Sequence, residues 1–310
     1  MKERTKKVVR RAVVFLLFLY ASFCTAAGIG LANISLDYPR MPLRQSDAVH
    51  DRIRREFQAE IEDVSLKTAD GVALKAWFIQ PHQGNGKSVI LLHGIGGNRI
   101  DMSGYADTYL RNGYSVLLPD SRDHGESGGT FISYGILERD DVRLWVEYLR
   151  ARVPGCTYLL GESLGAAIGV QATAIEPQLC AAAVESPFAT FRQVSYERMG
   201  LFTHTGTLFW ETAARPILEV AILYSRLRWG IYLPNTEPMK AVRRSGLPTL
   251  LIAGTEDHLI PMHHAQELYR ACPSHCALWI VHGADHGGAS RVAGPEFDRR
   301  ILEWFAQHDK

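Results

Sequence analysis

Gly161-Glu162-Ser163-Leu164-Gly165 is the most informative motif in this sequence. A short apolar run, residues 157–160, comes directly before it, and residues 166–170, with the composition of a helix, follow it. A strand, a very tight turn and a helix form the context that a G-x-S-x-G motif requires, because glycines remove side chains that would clash in the turn. The turn holds the Ser163 hydroxyl out at the top of a sheet, above a helix N-terminus. The motif therefore predicts a nucleophilic serine at Ser163.

Short apolar runs bounded by turn residues recur on both sides of this motif. They lie at residues 72–79, 88–92, 115–118, 157–160, 181–184, 249–252 and 278–281. Such runs are typical of strands buried on both faces of a parallel sheet. Helical patterns, for example at residues 136–150, separate them, so the sequence predicts an α/β fold with a mostly parallel sheet and helices on both faces.

One segment, residues 190–243, is too long for an ordinary connection between two strands. It is rich in aromatic residues and has a helical pattern around residues 216–233. We interpret it as a helical lid inserted over the carboxyl edge of the sheet. Additional core packing without a role in substrate binding is the alternative.

A serine nucleophile needs a base, and the base needs an acid, in the chain order serine, acid, histidine. His286 follows the last predicted strand and is the expected base, because His282 lies too near the strand end. Asp257 follows the preceding strand and is the expected acid, which would hold the tautomer of the imidazole. Glu256 is the rival acid.

Two backbone N–H groups are expected to stabilise the oxyanion. One belongs to Leu164, directly after the serine, and the other should come from the glycine-rich loop at residues 93–99, where Ile95 is the predicted donor. This loop lacks the Lys-Ser/Thr of a phosphate-binding loop, and the sequence predicts no cofactor. The histidines also lack a spacing that places three metal ligands on one face, so no metal is expected.

A second polar loop, residues 120–128, follows the strand at residues 115–118 and lies at the same edge. We expect it to be structural, held by internal charge pairs. Contact of Arg122 or His124 with substrate is the alternative.

The N-terminus carries six basic residues within positions 1–11, and residues 12–34 contain no charged side chain. About 20 apolar residues span a bilayer, and the flanking positive charge favours a cytoplasmic N-terminus. We therefore predict a basic cytoplasmic tail at 1–11, a transmembrane signal-anchor at 12–34, a linker at 35–56 and an extracytoplasmic catalytic domain at 57–310. A signal peptide cleaved near Thr25-Ala26-Ala27 is the first alternative, and a buried helix of the domain is the second.

Composition narrows the choice of partners and compartment. The chain has 310 residues and a net charge of +1, so nucleic acid is not an expected partner. Outside the apolar segment there are four cysteines, an even number, and an extracytoplasmic location permits disulfides. Cys156 and Cys180 each precede a predicted strand and would lie at the same end of adjacent parallel strands, while Cys272 and Cys276 flank a short turn. Free thiols are the alternative for each pair.

Taken in order, residues 93–97, 120–128, 161–165, 254–257 and 285–286 resemble the α/β-hydrolase superfamily, nearest to serine aminopeptidase-like and monoacylglycerol-lipase-like hydrolases. Residues 185–188 are similar to that group too. The resemblance covers roughly residues 57–308, and it implies the fold and a Ser-His-Asp triad rather than one substrate.

The sequence as a whole favours a membrane-tethered enzyme that cleaves a small-molecule carboxylic ester with an acyl or lipid-like part. An amidase or aminopeptidase with the same catalytic residues is the first alternative. A non-catalytic binding module that has kept the fold is the second.

Overall fold

The computed structural model describes residues 2–310, which fall into two compact units. The first unit combines residues 2–36 with Tyr196–Leu233. The second, called the sheet domain here, combines Asp37–Ser195 with Pro234–Lys310.

The sheet domain is built on one eight-stranded sheet with the order β1-β2-β4-β3-β5-β6-β7-β8. β1 and β2 pair antiparallel, β2 pairs antiparallel with β4, and all the other pairs are parallel. The α/β fold with a mostly parallel sheet is therefore confirmed. The strands are β1 (Glu60–Lys67), β2 (Ala73–Gln80), β3 (Ser88–Leu92), β4 (Ser115–Asp120), β5 (Thr157–Glu162), β6 (Leu179–Glu185), β7 (Thr249–Gly254) and β8 (Cys276–Val281).

The helices of both units are numbered in chain order. They are α1 (Lys2–Leu36), α2 (Ser46–Phe57), α3 (Ser103–Arg111), α4 (Glu138–Arg150), α5 (Leu164–Ala172), α6 (Phe191–Phe202), α7 (Thr207–Glu211), α8 (Arg215–Trp229), α9 (Pro238–Ser245), α10 (His263–Ala271), α11 (Ala289–Ala293) and α12 (Pro295–Gln307).

Two apolar clusters cover the two faces of the sheet, which explains why the central strands are continuous apolar runs. Every residue of β3, β4, β6 and β7 is buried. One cluster contains Trp145 and Leu149 of α4, and the other contains Phe297 and Phe305 of α12. The Phe305 ring stacks on Tyr158 of β5 with centroids 4.4 Å apart. The helices on both faces are thus held by large side chains that point into the sheet.

Two elements lie where the sequence pattern had predicted none. Part of the predicted linker, residues 46–57, forms α2, whose Val49, Ile53 and Phe57 pack on the core at four-residue spacing. Charged residues between these positions hide that stripe in the sequence. β1 is an edge strand with mostly exposed side chains, so it lacks the apolar run by which the other strands are recognised.

The long apolar helix predicted near the N-terminus is present as α1. Residues 3–36 are long and apolar enough to cross a membrane. α1 packs on α8 within the same unit, and a β-carbon at Gly28 would lie 2.6 Å from Val220 Cβ, so only glycine permits this approach. Tyr20 donates a hydrogen bond to the carbonyl of Ala213, just before α8. Since Tyr20 lies near residue 213 and Gly28 near residue 220, the two helices run in the same direction.

The insertion between β6 and β7 is divided between the two units. Tyr196–Leu233 belongs to the unit that contains α1, whereas α9 belongs to the sheet domain, where Ala241 and Val242 join the core. The predicted lid at residues 190–243 thus has parts in both units, and its role stays a prediction.

Both cysteine pairs of the sheet domain form disulfides. Cys156 and Cys180 join the amino ends of the neighbouring strands β5 and β6, with Cα atoms 5.7 Å apart. Cys272 and Cys276 close the turn between α10 and β8, with Cα atoms 5.5 Å apart.

Candidate active site

Ser163 lies in a sharp turn between β5 and α5 with φ 54° and ψ −110°, a backbone conformation that non-glycine residues seldom adopt. The two glycines of the motif make this turn possible. A β-carbon at Gly161 would lie 2.4 Å from the carbonyl oxygen of Gly165, and one at Gly165 would lie 2.2 Å from that of Leu92. The turn is also fixed to the neighbouring strand, because Ser163 N–H donates to the carbonyl of Glu185 at 2.9 Å. Strain at this position is thus held by close backbone packing.

The structure brings together the three side chains that the sequence singled out. His286 Nε2 lies 2.8 Å from Ser163 Oγ, and its Nδ1 lies 2.9 Å from Asp257 Oδ2. Each side chain comes from a different loop at the carboxyl edge of the sheet, after β5, β7 and β8. The two rival residues are not part of this chain of contacts, because Glu256 and His282 are exposed to solvent.

Asp257 is buried, and four donors surround its carboxylate. Oδ2 accepts from Ser186 Oγ at 2.7 Å as well as from His286, and Oδ1 accepts from the N–H groups of Leu259 at 3.1 Å and Ile260 at 2.8 Å. Burial raises the pKa of Asp257, but the hydrogen bonds and the charge of His286 outweigh it, so the net pKa is lowered. Asp257 is therefore a fixed negative charge that orients the imidazole.

The glycine-rich loop at residues 93–99 runs beside the serine. A β-carbon at Gly94 would lie 3.5 Å from Ser163 Cβ. Among residues 2–310, the N–H groups of Ile95 and Leu164 enter none of the backbone-to-backbone hydrogen bonds of loops and turns. Both groups are thus available to an acceptor other than the backbone of these loops.

Two buried histidines connect this loop to the loop after β4. His93 Nε2 accepts from Ser121 N–H at 3.1 Å, and its Nδ1–H donates to the carbonyl of Gly94 at 2.7 Å. Burial, with a smaller contribution from the nearby His124, lowers the pKa of His93 to about 3, so the ring is neutral. His124 Nε2 accepts from Gly96 N–H at 3.1 Å. The histidines therefore fix the backbone on both sides of Ile95.

The second polar loop is held by internal ion pairs. The buried Arg122 guanidinium forms a bidentate pair with Asp141, at 2.8 and 2.6 Å, and contacts Asp70 at 2.9 Å. With its donors directed at these carboxylates, Arg122 has the structural role expected for this loop.

Two glutamates end neighbouring strands next to the turn that holds Ser163. Glu162 and Glu185 end the paired strands β5 and β6 in register, and Glu185 accepts from Ala289 N–H at 2.8 Å. Burial raises the pKa of Glu185 to about 7, and the charge of Glu162 adds to the shift. Burial also raises the pKa of Glu162, whose carboxyl lies 3.5 Å from the hydroxyl of Tyr105. Burial therefore favours the protonated form of both carboxyl groups.

One group of side chains within the sheet domain has the composition of a metal site. The sulfur atoms of Cys272 and Cys276 and a ring nitrogen of His275 lie within 4.8 Å of one another. Since the two sulfur atoms are joined in a disulfide, neither is a thiolate ligand.

Sequence reasoning missed the residues that support the three predicted side chains. Ser186, Glu162 and Glu185 are buried or half-buried polar groups at the carboxyl ends of β5 and β6. A polar residue that ends an otherwise apolar strand is the signal that would have found them, because these ends meet at one edge of a parallel sheet.

Comparison with known protein families agrees with the α/β fold of this chain. Residues 89–295 match the model of the Alpha/beta hydrolase family, and the chain belongs to that family. Membership supports a hydrolase in general.

Among curated proteins, the chain is similar to an uncharacterized protein, YqkD of Bacillus subtilis, with 28% identity over 251 residues and 78% of each chain covered. It is also similar to the α/β hydrolase domain-containing protein WAV2 of Arabidopsis thaliana, with 24% identity over 77% of this chain and 71% of that one.

Among solved structures, the Pyrococcus furiosus esterase Pf2001 superposes with a TM-score of 0.70 at 23% identity, covering 88% of this chain and 98% of the esterase. At this level of identity the similarity establishes the shared fold.

Proposed function

We propose that this protein is a serine hydrolase that cleaves carboxylic esters through Ser163, His286 and Asp257. The observation that carries the proposal is the continuous chain of hydrogen bonds from Ser163 Oγ through His286 to Asp257, at 2.8 and 2.9 Å. These distances are those at which a base accepts the proton of a serine hydroxyl.

In the proposed reaction, Ser163 Oγ attacks the carbonyl carbon of the ester while His286 Nε2 takes the hydroxyl proton. The tetrahedral intermediate collapses when the imidazolium returns that proton to the departing alcohol, leaving an acyl group on Ser163. His286 then takes a proton from water, whose oxygen attacks the acyl carbon. The second tetrahedral intermediate collapses by breaking the bond between that carbon and Ser163 Oγ, and the imidazolium returns the proton to Oγ as the acid leaves. Asp257 stabilises the imidazolium in both halves of the reaction.

The negative oxygen of each tetrahedral intermediate is assigned to the N–H groups of Ile95 and Leu164. Gly94 lies against Ser163, and Leu164 begins α5, whose N-terminal dipole favours negative charge. Mutation of one such donor in other enzymes costs on the order of 100-fold or more in kcat, so these two groups supply a large part of the catalysis.

An acyl or lipid-like substrate is proposed because the unit that contains α1 has an apolar surface suited to a membrane, where lipid-derived esters are found. Its helices α6–α8 and the segment after them expose large apolar side chains, namely Leu201, Phe202, Leu208, Phe209, Leu223, Leu227 and Tyr232. Exposed apolar side chains in this number are typical of a surface that meets a membrane or an apolar ligand.

We propose that a lipid bilayer is what this surface meets. α1 packs along α8, so an anchored α1 brings α6–α8 to the bilayer with it. The basic side chains before residue 12 favour a cytoplasmic N-terminus and an extracytoplasmic catalytic domain. A reporter fused to the C-terminus tests the orientation: activity of an exported reporter such as alkaline phosphatase is expected, and activity of a cytoplasm-only reporter would contradict it.

The substrate class is tested on the full chain in detergent, with nitrophenyl esters of two to twelve acyl carbons and with aminoacyl anilides. We expect turnover of the esters, a rise in kcat/KM with acyl length, and loss of turnover in Ser163→Ala. The related fold of the Pyrococcus furiosus esterase is the reason to begin with esters. Faster turnover of the anilides would instead identify an amidase, and a preference for acetate would contradict an acyl-binding site.

A further inference from the structure

The segment that joins α1 to α2, residues 37–43, is not a free linker. It has no regular secondary structure, yet four of its residues contact the loops that surround Ser163. We call it the strap.

Tyr38 of the strap covers the glycine-rich loop. A β-carbon at Gly96 would lie 2.6 Å from Tyr38 Cε1 and 3.3 Å from its Cδ1, and Gly96 has a φ of +74°. Glycine therefore serves two purposes here, since it adopts the left-handed conformation and leaves room for the ring. The covered residue directly follows Ile95, whose N–H is assigned to the oxyanion.

Arg40 binds the polar loop after β4, which contains His124, the acceptor of the Gly96 N–H. Its guanidinium donates to Asp123 Oδ1 at 3.1 Å, to the carbonyl of Ser127 at 2.7 Å and to the carbonyl of Gly129. Asp123 is buried and has a φ of 62°, so its backbone needs such support. The next residue, His124, accepts the hydrogen bond from Gly96 N–H.

Asn98 makes the third connection. Its buried side-chain amide donates to the carbonyls of Met41 at 3.2 Å and Pro42 at 3.5 Å. Its side-chain oxygen accepts from Ile100 N–H at 3.0 Å, which fixes the end of the glycine-rich loop. The strap therefore holds this loop at Gly96 and at Asn98.

We propose that the strap positions the N–H of Ile95 for catalysis, and that Tyr38 and Arg40 are the positioning residues. This inference rests on the proposed function, because it assigns that N–H to the oxyanion. It means that the residues directly after the apolar helix take part in catalysis as well as joining the helix to the domain. A donor misplaced by a fraction of an ångström loses its effect in the transition state, whereas binding of the neutral ester changes little.

The test compares Tyr38→Ala, Tyr38→Phe and Arg40→Gln with the wild type in the full chain. Active sites are counted by titration with a fluorophosphonate, and kcat and KM are measured for one nitrophenyl ester. Tyr38→Ala and Arg40→Gln are expected to lower kcat per active site about tenfold and to change KM less than about twofold. Tyr38→Phe keeps the ring on Gly96, so its kcat per active site is expected to equal that of the wild type.

Tyr269→Ala is the matched control, because Tyr269 of α10 is 36% exposed and Tyr38 is 37% exposed. It is expected to retain the kcat of the wild type. Wild-type kcat per active site in both Tyr38→Ala and Arg40→Gln would overturn the inference. So would a loss that Tyr38→Phe does not restore. Absence of titratable sites in the wild type would instead contradict the proposed function itself, so the two failures are distinguishable.

Discussion

Replacement of Glu185 by glutamine should make the protein more stable at alkaline pH and leave it nearly unchanged at acidic pH. Glu185 is 2% exposed, and burial raises its pKa from 4.5 to about 7. Between these two values the folded protein holds a proton that the unfolded chain has released. Stability therefore falls as the pH rises from about 4.5 to 7 and then stays level. Glutamine keeps a side-chain oxygen for Ala289 N–H but cannot ionise, so it removes this loss.

The size of the effect follows from the shift in pKa. One unit is worth 1.36 kcal/mol, so a rise from 4.5 to about 7 destabilises the wild type by about 3 kcal/mol at pH 8. At pH 5 the same group costs less than about 1 kcal/mol, because the folded protein is protonated and the unfolded chain partly so. For a domain of this size 1 kcal/mol shifts Tm by roughly 2–4 °C, so Glu185→Gln should melt roughly 6–12 °C above the wild type at pH 8.

The assay is thermal unfolding of the full chain in one detergent, followed by circular dichroism at pH 5, 6, 7 and 8. Glu256→Gln is the control, since Glu256 is an exposed glutamate in the loop after β7, and its Tm should follow the wild type at every pH. A Tm difference between Glu185→Gln and the wild type that does not grow from pH 5 to pH 8 would show that the pKa of Glu185 is not raised by folding.

Two further predictions concern catalysis and cross-linking. Asp257→Asn keeps the shape of the side chain but favours the wrong tautomer of His286, so kcat should fall about 10⁴-fold, whereas Glu256→Gln should leave kcat within about twofold; steady-state kinetics on a nitrophenyl ester checks both, and similar losses in the two variants would contradict the assignment of the acid. Removing the Cys156–Cys180 disulfide, which joins residues 24 apart, should lower the free energy of unfolding by about 3.5 kcal/mol, because it closes the longer loop. Removing Cys272–Cys276, which joins residues 4 apart, should lower it by about 2 kcal/mol. Urea midpoints of the two double alanine variants measure both losses, and a larger loss for Cys272–Cys276 would show that loop length does not determine them.

The sequence was sufficient for the fold because the central strands are buried on both faces. Each therefore reads as an apolar run, and the glycines of residues 161–165 mark the one turn that must be tight. The order of the strands in the sheet was not predicted and comes from the structure. β1 escaped prediction because an edge strand with an exposed face carries no such run. α2 escaped it because its stripe at Val49, Ile53 and Phe57 lies among charged residues.

The sequence predicts the candidate site residues from their positions directly after particular strands. It does not predict the residues that support them. Asp257 and His286 each follow a strand end, which is a pattern along the chain. Contacts between Tyr38 and Gly96, or between Ser186 and Asp257, join positions 58 and 71 residues apart, so no local pattern reports them. Ionisation of Glu185 depends on burial, which only the packed structure supplies.

Covalent labelling is the direct test of whether Ser163 is a nucleophile activated by His286. The full chain in detergent is treated with a fluorophosphonate, and the modified residue is identified by mass spectrometry of the peptides. We predict one label per chain on Ser163, no label in Ser163→Ala, and labelling slowed at least about 100-fold in His286→Ala, because the hydroxyl alone is a weak nucleophile. An unlabelled wild type, or a label retained in Ser163→Ala, would show that Ser163 is not the nucleophile.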